Sequence, residues 1–207
     1  MIIIGLTGSI GMGKSTTAQM LEEMGYPCYD ADAEIHKIMA PGGVAVPQIK
    51  HVFEQAVETN DQGQDFVNRQ TLGQIVFNDA EKLQQLEDIL YPIIKKEEQS
   101  FLTKHREKGV DFVVLDIPLL FEKGGDKRVD VTFCVTATKE IQRQRVLSRP
   151  GMTEDKFTKI LNSQMPDAEK QKRADFVVYT DKSKKDTHQQ LCDIIALLQR
   201  DKIKWQP

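Results

Sequence analysis

The chain has 207 residues, of which 40% are hydrophobic and 29% are charged, enough for one main domain with a sizeable core and one or two small additions. Its formal net charge of -3 provides no general positive field for nucleic acid or for an acidic membrane surface, so we expect neither as a partner. The three cysteines lie far apart and form no C-x-x-C pair, which argues against a disulfide framework and against a zinc site.

The first apolar run, from Met1 to Gly8, is too short to cross a bilayer. It also lacks the basic flank and the small-residue cleavage site of a signal peptide. We therefore interpret this run as the first strand of the fold. We expect a cytoplasmic protein that is a monomer or a small homo-oligomer.

Short β-branched runs alternate along the chain with longer stretches of helical period, a pattern typical of parallel strands joined by crossover helices. Several of these runs are continuously apolar, as strands covered on both faces require. The sequence thus predicts an α/β fold with a parallel five-stranded sheet. The predicted strands are 2–6, 27–30, 111–116, 129–135 and 175–179.

An insertion of about 80 residues separates the second predicted strand from the third, and it is far longer than an ordinary connection. Its pattern is almost entirely helical, and we interpret 41–108 as an inserted helical domain. Asn60 to Gly63 should form a turn within it. An apolar stripe with spacings of three and four residues is expected to pack the insertion. This stripe consists of Leu83, Leu86, Ile89, Leu90, Ile93 and Ile94.

The fourth predicted strand is followed by a helix that carries Arg145 and Arg149, and then by the pair Pro150-Gly151. A second helical stretch begins near Thr153, whose hydroxyl can cap the helix. We interpret 139–165 as a helical hairpin that can close as a lid. The nucleotide-binding core then comprises the remaining segments 1–40, 109–138 and 166–207.

The most specific signal is the run GSIGMGKS from Gly8 to Ser15, a full match to G-x-x-x-x-G-K-[ST] between an apolar strand and a helical pattern. Its glycines let successive amides point at phosphate oxygens. Lys14 is expected to reach the β- and γ-phosphates of ATP, and Ser15 is expected to coordinate Mg²⁺. The predicted ATP-binding residues of this segment are Gly8, Gly11, Met12, Gly13, Lys14, Ser15 and Thr16.

Two absent motifs indicate which class of nucleotide-binding protein this chain is. The sequence contains no Asp-x-x-Gly and no Asn/Thr-Lys-x-Asp, the segments with which regulatory GTPases sense the γ-phosphate and read guanine. Phosphoryl transfer is therefore favoured.

Asp30-Ala31-Asp32 follows the second predicted strand, at the edge where ligands bind in open α/β folds. We choose Asp32 as the acid that accepts the proton of the attacking hydroxyl, while Asp30 can cap the next helix.

Asp116 ends the third predicted strand. It either holds Mg²⁺ together with Ser15 or supports the phosphate loop, and both interpretations stay open.

Arg145 and Arg149 lie one helical turn apart on a shared face, a spacing that suits a clamp on ATP phosphates. Arg145 should also bring positive charge to the transition state. The predicted catalytic residues are Asp32, Lys14 and Arg145.

With these segments assembled, the chain resembles the dephospho-CoA kinase family from about Ile3 to about Tyr179. Beyond the phosphate loop, the resemblance rests on several further motifs. They are Asp30-Ala31-Asp32, Arg69-x-x-Leu72, Pro118-Leu119-Leu120-Phe121-Glu122 and Gln142-x-x-Arg145-x-x-x-Arg149. The family resemblance implies transfer of the γ-phosphate of ATP to the 3′-hydroxyl of the ribose of dephospho-CoA, with Mg²⁺.

The same resemblance implies roles for individual residues. Asp32 would be the catalytic acid, Arg145 would belong to the lid, and Gln164 would be a second lid candidate. The residues implied on the acceptor side are Arg69, Pro118, Leu119, Leu120 and Glu122. Two places depart from the family pattern: Tyr91 stands where the family commonly has histidine, and Thr180-Asp181-Lys182 replaces a frequent Asn-x-Gly.

Two other functions are compatible with a phosphate loop. Another small-molecule kinase, acting on a nucleoside monophosphate, shikimate or gluconate, would keep the same ATP site. The long insertion and the segment from Pro118 to Glu122 argue against it. A nucleotide-dependent regulatory protein is the second alternative, and the missing GTPase motifs argue against that class.

Overall fold

A computed structural model describes residues 1–77 and 79–200, so the last residues of the predicted core segment 166–207 lie outside the described residues. The chain divides into two compact units. One unit comprises Met1–Tyr29 and the chain from His105 onward, and the other comprises Asp30–Lys104. The predicted boundaries of the insertion at 41–108 and of the lid at 139–165 stay predictions.

The first unit opens with alternating strand and helix. Its first elements are β1 (Ile2–Thr7), α1 (Lys14–Glu23) and β2 (Cys28–Asp30). Strand β2 ends at the boundary with the second unit.

The second unit contains helices and one small hairpin. Its elements are α2 (Ala31–Ile38), α3 (Val46–Val52), a single 3₁₀ turn (Glu54–Ala56), β3 (Val57–Thr59), β4 (Asp65–Val67), α4 (Arg69–Val76) and most of α5 (Ala80–Glu107).

The chain then completes the first unit. The remaining elements are β5 (Phe112–Asp116), a 3₁₀ turn (Gly125–Arg128), β6 (Val131–Thr136), α6 (Lys139–Leu147), α7 (Glu154–Ser163), α8 (Asp167–Arg173), β7 (Phe176–Tyr179) and α9 (Lys184–Arg200).

The main sheet has five parallel strands in the order β2-β5-β1-β6-β7, which confirms the predicted sheet. Strand β1 lies in the middle, with Gly5 opposite Leu115 of β5 and Thr7 opposite Cys134 of β6. The strands β5 and β6 are buried along their whole length, as strands covered on both faces should be. Because the strands are parallel, their carboxyl ends meet at one edge, where the phosphate loop begins after Thr7.

The hairpin corrects the prediction of an almost entirely helical insertion. Strand β3 pairs antiparallel with β4, so that Val57 faces Val67. The turn predicted from Asn60 to Gly63 joins them, and the Oδ1 atom of Asn60 accepts hydrogen bonds from the amides of Gln62 and Gln64. Each strand has only three residues, too few for the alternation of apolar and polar residues that identifies a strand.

Each unit has its own hydrophobic core. In the first, buried residues of the sheet such as Leu6 and Phe133 pack with Leu21 of α1 and Leu191 of α9. In the second, most of the predicted stripe on α5 packs against buried residues of that unit, as expected, but Leu83 is 43% exposed.

Among the described residues, no helix combines the length and the apolar character that a bilayer crossing requires.

Candidate active site

The phosphate loop occupies the turn between β1 and α1. Two of its glycines have backbone angles that favour glycine over other residues: Gly11 has a φ of 77° and Gly13 a φ of 95°. Both lie in the left-handed region, which L-residues with a side chain rarely adopt. Gly13 is also the residue that caps the start of α1. The predicted glycine positions thus match a backbone need at the point where the loop curls into the helix.

Gly8 is required for a different reason, namely close packing against β6. A Cβ atom at Gly8 would lie 2.4 Å from Cγ2 and 2.8 Å from the carbonyl oxygen of Val135. The second distance involves main chain, so it could be relieved only by moving the strand. A Cβ at Gly13 would likewise meet the Thr180 hydroxyl at 2.9 Å. The loop is therefore pressed against the sheet and against the segment after β7.

Side chains from distant parts of the chain hold the loop backbone. Gln142 Nε2 donates to the carbonyl of Ile10 at 2.8 Å, and Gln164 Oε1 accepts from the Ile10 amide at 3.0 Å. The hydroxyl of Thr180 donates to the carbonyl of Met12 at 2.7 Å. The first amides of a helix have no intrahelical partner. In α1 these are the amides that follow Gly13, and they are positioned to bind an anion.

Lys14 and Asp116 meet at the carboxyl edge of the sheet. The ammonium group of Lys14 donates to Oδ1 of Asp116 at the end of β5, and Asp116 is only 3% exposed. Ser15 and Thr16, the next two residues of α1, are exposed. The structure thus brings together the predicted lysine and one predicted metal-binding acid, with the Ser15 hydroxyl accessible on the first turn of the same helix.

Arg145 contacts the phosphate loop from α6. Its Nη1 donates to Thr180 Oγ1 at 3.0 Å and, at 3.5 Å, to the carbonyl of Gly11, while Nη2 donates to the Thr180 carbonyl at 2.6 Å. Arg149 is exposed one turn later. The two arginines predicted as one clamp therefore have different surroundings, since one is bonded to loop backbone and the other lies on the surface.

The segment from Pro118 to Glu122 follows β5 and is bonded on two sides. Thr7 Oγ1 donates to the carbonyl of Pro118 at 3.0 Å, and Lys170 Nζ donates to the same carbonyl at 2.9 Å. Glu122 Oε1 accepts from Lys170 at 2.8 Å and from the Met165 amide at 2.8 Å. Burial raises the pKa of Glu122, but these hydrogen bonds outweigh it and hold that pKa below its ordinary value.

Two further acceptor-side predictions fall in this segment. Leu119 is partly buried. Leu120 is fully buried, and its Cδ2 atom would lie 2.9 Å from a Cβ added at Gly5. The observed contacts of Leu120 are those of core packing, and its part in acceptor binding stays a prediction.

Sequence reasoning missed three residues of this site. Thr180 lies just beyond β7 at the carboxyl edge of the sheet, and that position alone could have marked it. Gln142 was visible one turn before Arg145 in the Gln142-x-x-Arg145 motif. Lys170 stands in a run of charged residues, and nothing local to that run indicates which charge is buried.

The second unit carries Asp32 in the first turn of α2. Asp30 is the N-cap of this helix, and its Oδ1 accepts from the Ala33 amide at 2.9 Å, which confirms the capping role considered for it. Asp32 is exposed, so its carboxylate is accessible to a substrate. His36 follows four residues later, on the same face of the helix.

The same unit contains an open pocket of about 480 Å³. Its lining includes His36 of α2, Phe66 of β4 and Arg69 of α4. Asn68 caps α4 by accepting from the amides of Gln70 and Thr71, each at 3.1 Å. The positive end of α4 and Arg69, the first residue of that helix, thus lie at one side of the pocket, which suits an anionic group. Because His36 lies one turn from Asp32, the pocket begins close to the predicted acid.

Known proteins resemble this chain over nearly its whole length. The sequence model of the dephospho-CoA kinase family matches residues 2–186. A dephospho-CoA kinase of Novosphingobium aromaticivorans is 46% identical over 196 residues, which cover 95% of this chain and 94% of that protein. Among solved structures, a protein of Thermus thermophilus has a TM-score of 0.81 at 34% identity, covering 95% of this chain and 97% of that one. A dephospho-CoA kinase from Campylobacter jejuni has a TM-score of 0.68 at 25% identity, covering 94% and 95%.

Proposed function

This chain belongs to the dephospho-CoA kinase family, and we propose that it transfers the γ-phosphate of ATP to the 3′-hydroxyl of the ribose of dephospho-CoA. The observation that carries the phosphoryl transfer is the phosphate loop, whose backbone is held from behind by Gln142, Gln164 and Thr180. The amides after Gly13 can then bind phosphate oxygens of the nucleotide, and Lys14, which donates to Asp116, lies on the first turn of the same helix. The choice of acceptor is supported by the family match.

Binding of ATP begins with its phosphates on the loop. The amides of the first turn of α1 bind phosphate oxygens. The Lys14 ammonium, which contacts Asp116, also donates hydrogen bonds to the β- and γ-phosphates. Arg145 supports the loop through its bonds to Gly11 and Thr180. Little covalent chemistry is left to the protein, so its contribution is positioning and neutralisation of charge.

Asp32 is the proposed proton acceptor. As the 3′-oxygen of the acceptor forms its bond to the γ-phosphorus, the bond from that phosphorus to the β,γ-bridging oxygen breaks and ADP leaves. The proton of the 3′-hydroxyl passes to the carboxylate of Asp32. The exposed position of Asp32 on the first turn of α2 supports this role, because a carboxylate already used in a cap or an ion pair would be less available.

Magnesium fits the residues present. Ser15 is exposed on the first turn of α1, and the Asp116 carboxylate lies beside Lys14 of the same turn; two oxygen donors suit an ion that takes most of its ligands from phosphate and water. Ser15 would hold it through its hydroxyl and Asp116 through its carboxylate. When bound, Mg²⁺ would neutralise charge on the β- and γ-phosphates.

The pocket of the second unit is the proposed site for part of the acceptor. Dephospho-CoA carries a diphosphate, and Arg69 can bind phosphate oxygens with two parallel hydrogen bonds. Phe66 and His36 are in the lining of the pocket, and we propose that they stack on the adenine of the acceptor. A role of the segment from Pro118 to Glu122 in acceptor binding is proposed from the family resemblance. For the whole protein we propose a cytoplasmic location and a monomer or small homo-oligomer.

An acceptor panel tests this function. With Mg·ATP, ADP release is measured with dephospho-CoA, AMP, CMP, shikimate, gluconate and no acceptor. We expect turnover with dephospho-CoA to exceed every other rate by at least about 10²-fold, since lost contacts to a large acceptor remove binding energy used in the transition state. A preference for AMP or CMP would mean that the chain phosphorylates nucleoside monophosphates, and the description of the ATP site would not change.

A further inference from the structure

Lys170 is a lysine with a fully buried side chain. It lies in α8, where its neighbours Lys172 and Arg173 are exposed, yet its own exposure is 0%. Lysine is almost never fully buried unless its charge is paired. The pairing is present: Nζ lies 2.8 Å from Oε1 of Glu122 and donates to the carbonyl of Pro118 at 2.9 Å. One ammonium group thus binds both ends of the segment from Pro118 to Glu122.

Both ends of this segment are also connected to the phosphate loop. Before the loop, Thr7 Oγ1 donates to the same Pro118 carbonyl that Lys170 binds, at 3.0 Å. Inside the loop, the Ile10 amide donates to Gln164, and the next residue, Met165, donates its amide to the Glu122 oxygen that Lys170 binds. Hydrogen bonds and the main chain therefore connect the phosphate loop, α8 and the segment after β5 in one continuous network.

The surroundings of Lys170 show that α8 is fixed at the end of β6. Asp167 Oδ2 accepts from the Thr136 hydroxyl at 2.7 Å and from Gln171 Nε2 at 2.5 Å. The charges of Asp167, Lys170 and Glu122 all act on the Cys134 thiol. Helix α8 therefore brings a positive charge to the strand ends beside two carboxylates, and this charge is directed at the Pro118 carbonyl.

We propose that Lys170 is a positioning residue that fixes the segment from Pro118 to Glu122 relative to the phosphate loop, so that the acceptor is held in line with the γ-phosphate. This inference rests on the proposed function for the identity of the acceptor. A methionine could fill the volume of Lys170, but it could donate to neither oxygen. The segment would then keep its packing and lose the contacts that set its position, and misplacement of a reacting group by about 1 Å costs on the order of 10²-fold in rate.

The test compares Lys170→Met with Lys172→Met, an exposed lysine on the same helix. We expect Lys170→Met to raise the KM for dephospho-CoA about tenfold or more and to lower kcat, while the KM for ATP stays within about twofold. Lys170→Arg keeps the charge and the donors, and it should recover part of the loss. Lys172→Met should match the wild type in all three constants. Equal KM values for dephospho-CoA in Lys170→Met and the wild type would overturn the proposal.

Loss of folding is separated from loss of positioning by a double variant. Lys170→Met leaves the Glu122 carboxylate without its ion pair and should lower Tm by about 5–10 °C. Combining it with Glu122→Gln removes both charges and should restore most of the Tm. A positioning role predicts that the acceptor KM of the double variant stays raised above that of the Glu122→Gln single variant. Recovery of the acceptor KM together with Tm would mean that Lys170 contributes only stability.

A readout that needs no acceptor separates this inference from the proposed function. Hydrogen exchange of the peptide that covers 118–122 should be faster in Lys170→Met than in the wild type and in Lys172→Met. If the wild type does not phosphorylate dephospho-CoA, the proposed function fails while faster exchange in this peptide still supports the positioning role. Unchanged exchange in Lys170→Met would contradict that role whatever the acceptor is.

Discussion

The guanidinium of Arg145 binds two oxygens of Thr180, with Nη1 donating to the hydroxyl at 3.0 Å and Nη2 donating to the carbonyl at 2.6 Å. The same hydroxyl donates to the carbonyl of Met12 in the phosphate loop. One threonine therefore connects the arginine of α6, the end of β7 and the phosphate loop. Thr180 stands where the resemblance led us to expect an Asn-x-Gly segment, and its bonds give that position a defined role.

Through this contact Arg145 supports the phosphate loop. Arg145→Ala should lower kcat/KM for ATP by about 10- to 100-fold, because hydrogen bonds of a charged group contribute about 1.5–3 kcal/mol and each 1.4 kcal/mol is a factor of ten. Arg143→Ala is the control, since Arg143 is exposed and pairs with Glu154, and an exposed ion pair contributes little. Steady-state kinetics at varied ATP measure both. Equal losses would show that the contacts of Arg145 are not specific to the site.

The sequence was sufficient to locate the strands of the sheet because several of them are short apolar runs bounded by turn residues. The five strands along the chain and the start of the phosphate loop were predicted from that pattern, whereas the order of the strands within the sheet, β2-β5-β1-β6-β7, was not predicted. The start of the fourth strand was wrong: Asp130 precedes β6 and instead accepts, through its side chain, from the Ile3 amide at 2.7 Å. The local sequence pattern also predicted two helix caps that the structure contains, Asp30 at the start of α2 and Thr153 at the start of α7.

The contacts that support the site could not be predicted in the same way. Thr180 and Met12 are 168 residues apart, and Gln164 and Ile10 are 154 apart, so no local period relates the two members of either pair. The hairpin of β3 and β4 was missed because its strands are too short to show alternation. The roles of Asp32, Arg69 and Arg149 toward substrate stay predictions.

Asp32 and Asp30 can be separated by the same substitution at each position. Asp32→Asn cannot accept a proton, and it should lower kcat by roughly 10²-fold or more. Asp30→Asn should have a small effect, because asparagine caps a helix about as well as aspartate, and Asp30 accepts from the Ala33 amide. Single-turnover kinetics and thermal unfolding of both variants test the assignment. A larger loss of kcat in Asp30→Asn than in Asp32→Asn would exchange their roles.

Gly8 should not tolerate even one added methyl group. A Cβ there would lie 2.8 Å from the Val135 carbonyl oxygen, so Gly8→Ala should displace the loop or β6, lowering both Tm and ATP affinity. Gly73 in α4 is the control, because a Cβ there would meet nothing within 4 Å. Gly73→Ala should raise stability by about 0.5–1 kcal/mol through helix propensity. Calorimetry and nucleotide titration measure the two effects, and a Gly8→Ala variant with wild-type ATP affinity would contradict the packing argument.

Cys134 should be much less reactive than the other two cysteines. It is fully buried in β6, and burial, followed by the nearby negative charge of Asp167, raises the pKa of its thiol to about 12. A raised pKa keeps the thiol protonated, so at pH 8.5 the reactive thiolate is scarce. Alkylation with iodoacetamide followed by peptide mass spectrometry should modify Cys28 and Cys192 first, both of which are partly exposed. Cys134 should react at a comparable rate only in denaturant, and equal labelling of all three in the folded protein would contradict this account.

The position of the new phosphate tests the central claim most directly. After complete reaction of dephospho-CoA with Mg·ATP, phosphorus NMR of the purified product should show one new monoester on the 3′-oxygen of the ribose, with one ADP formed for each acceptor consumed. The Asp32→Asn variant should form the same product more slowly. A new phosphate on the 2′-oxygen or on the pantetheine hydroxyl, or ADP formed without a phosphorylated acceptor, would contradict the proposed reaction.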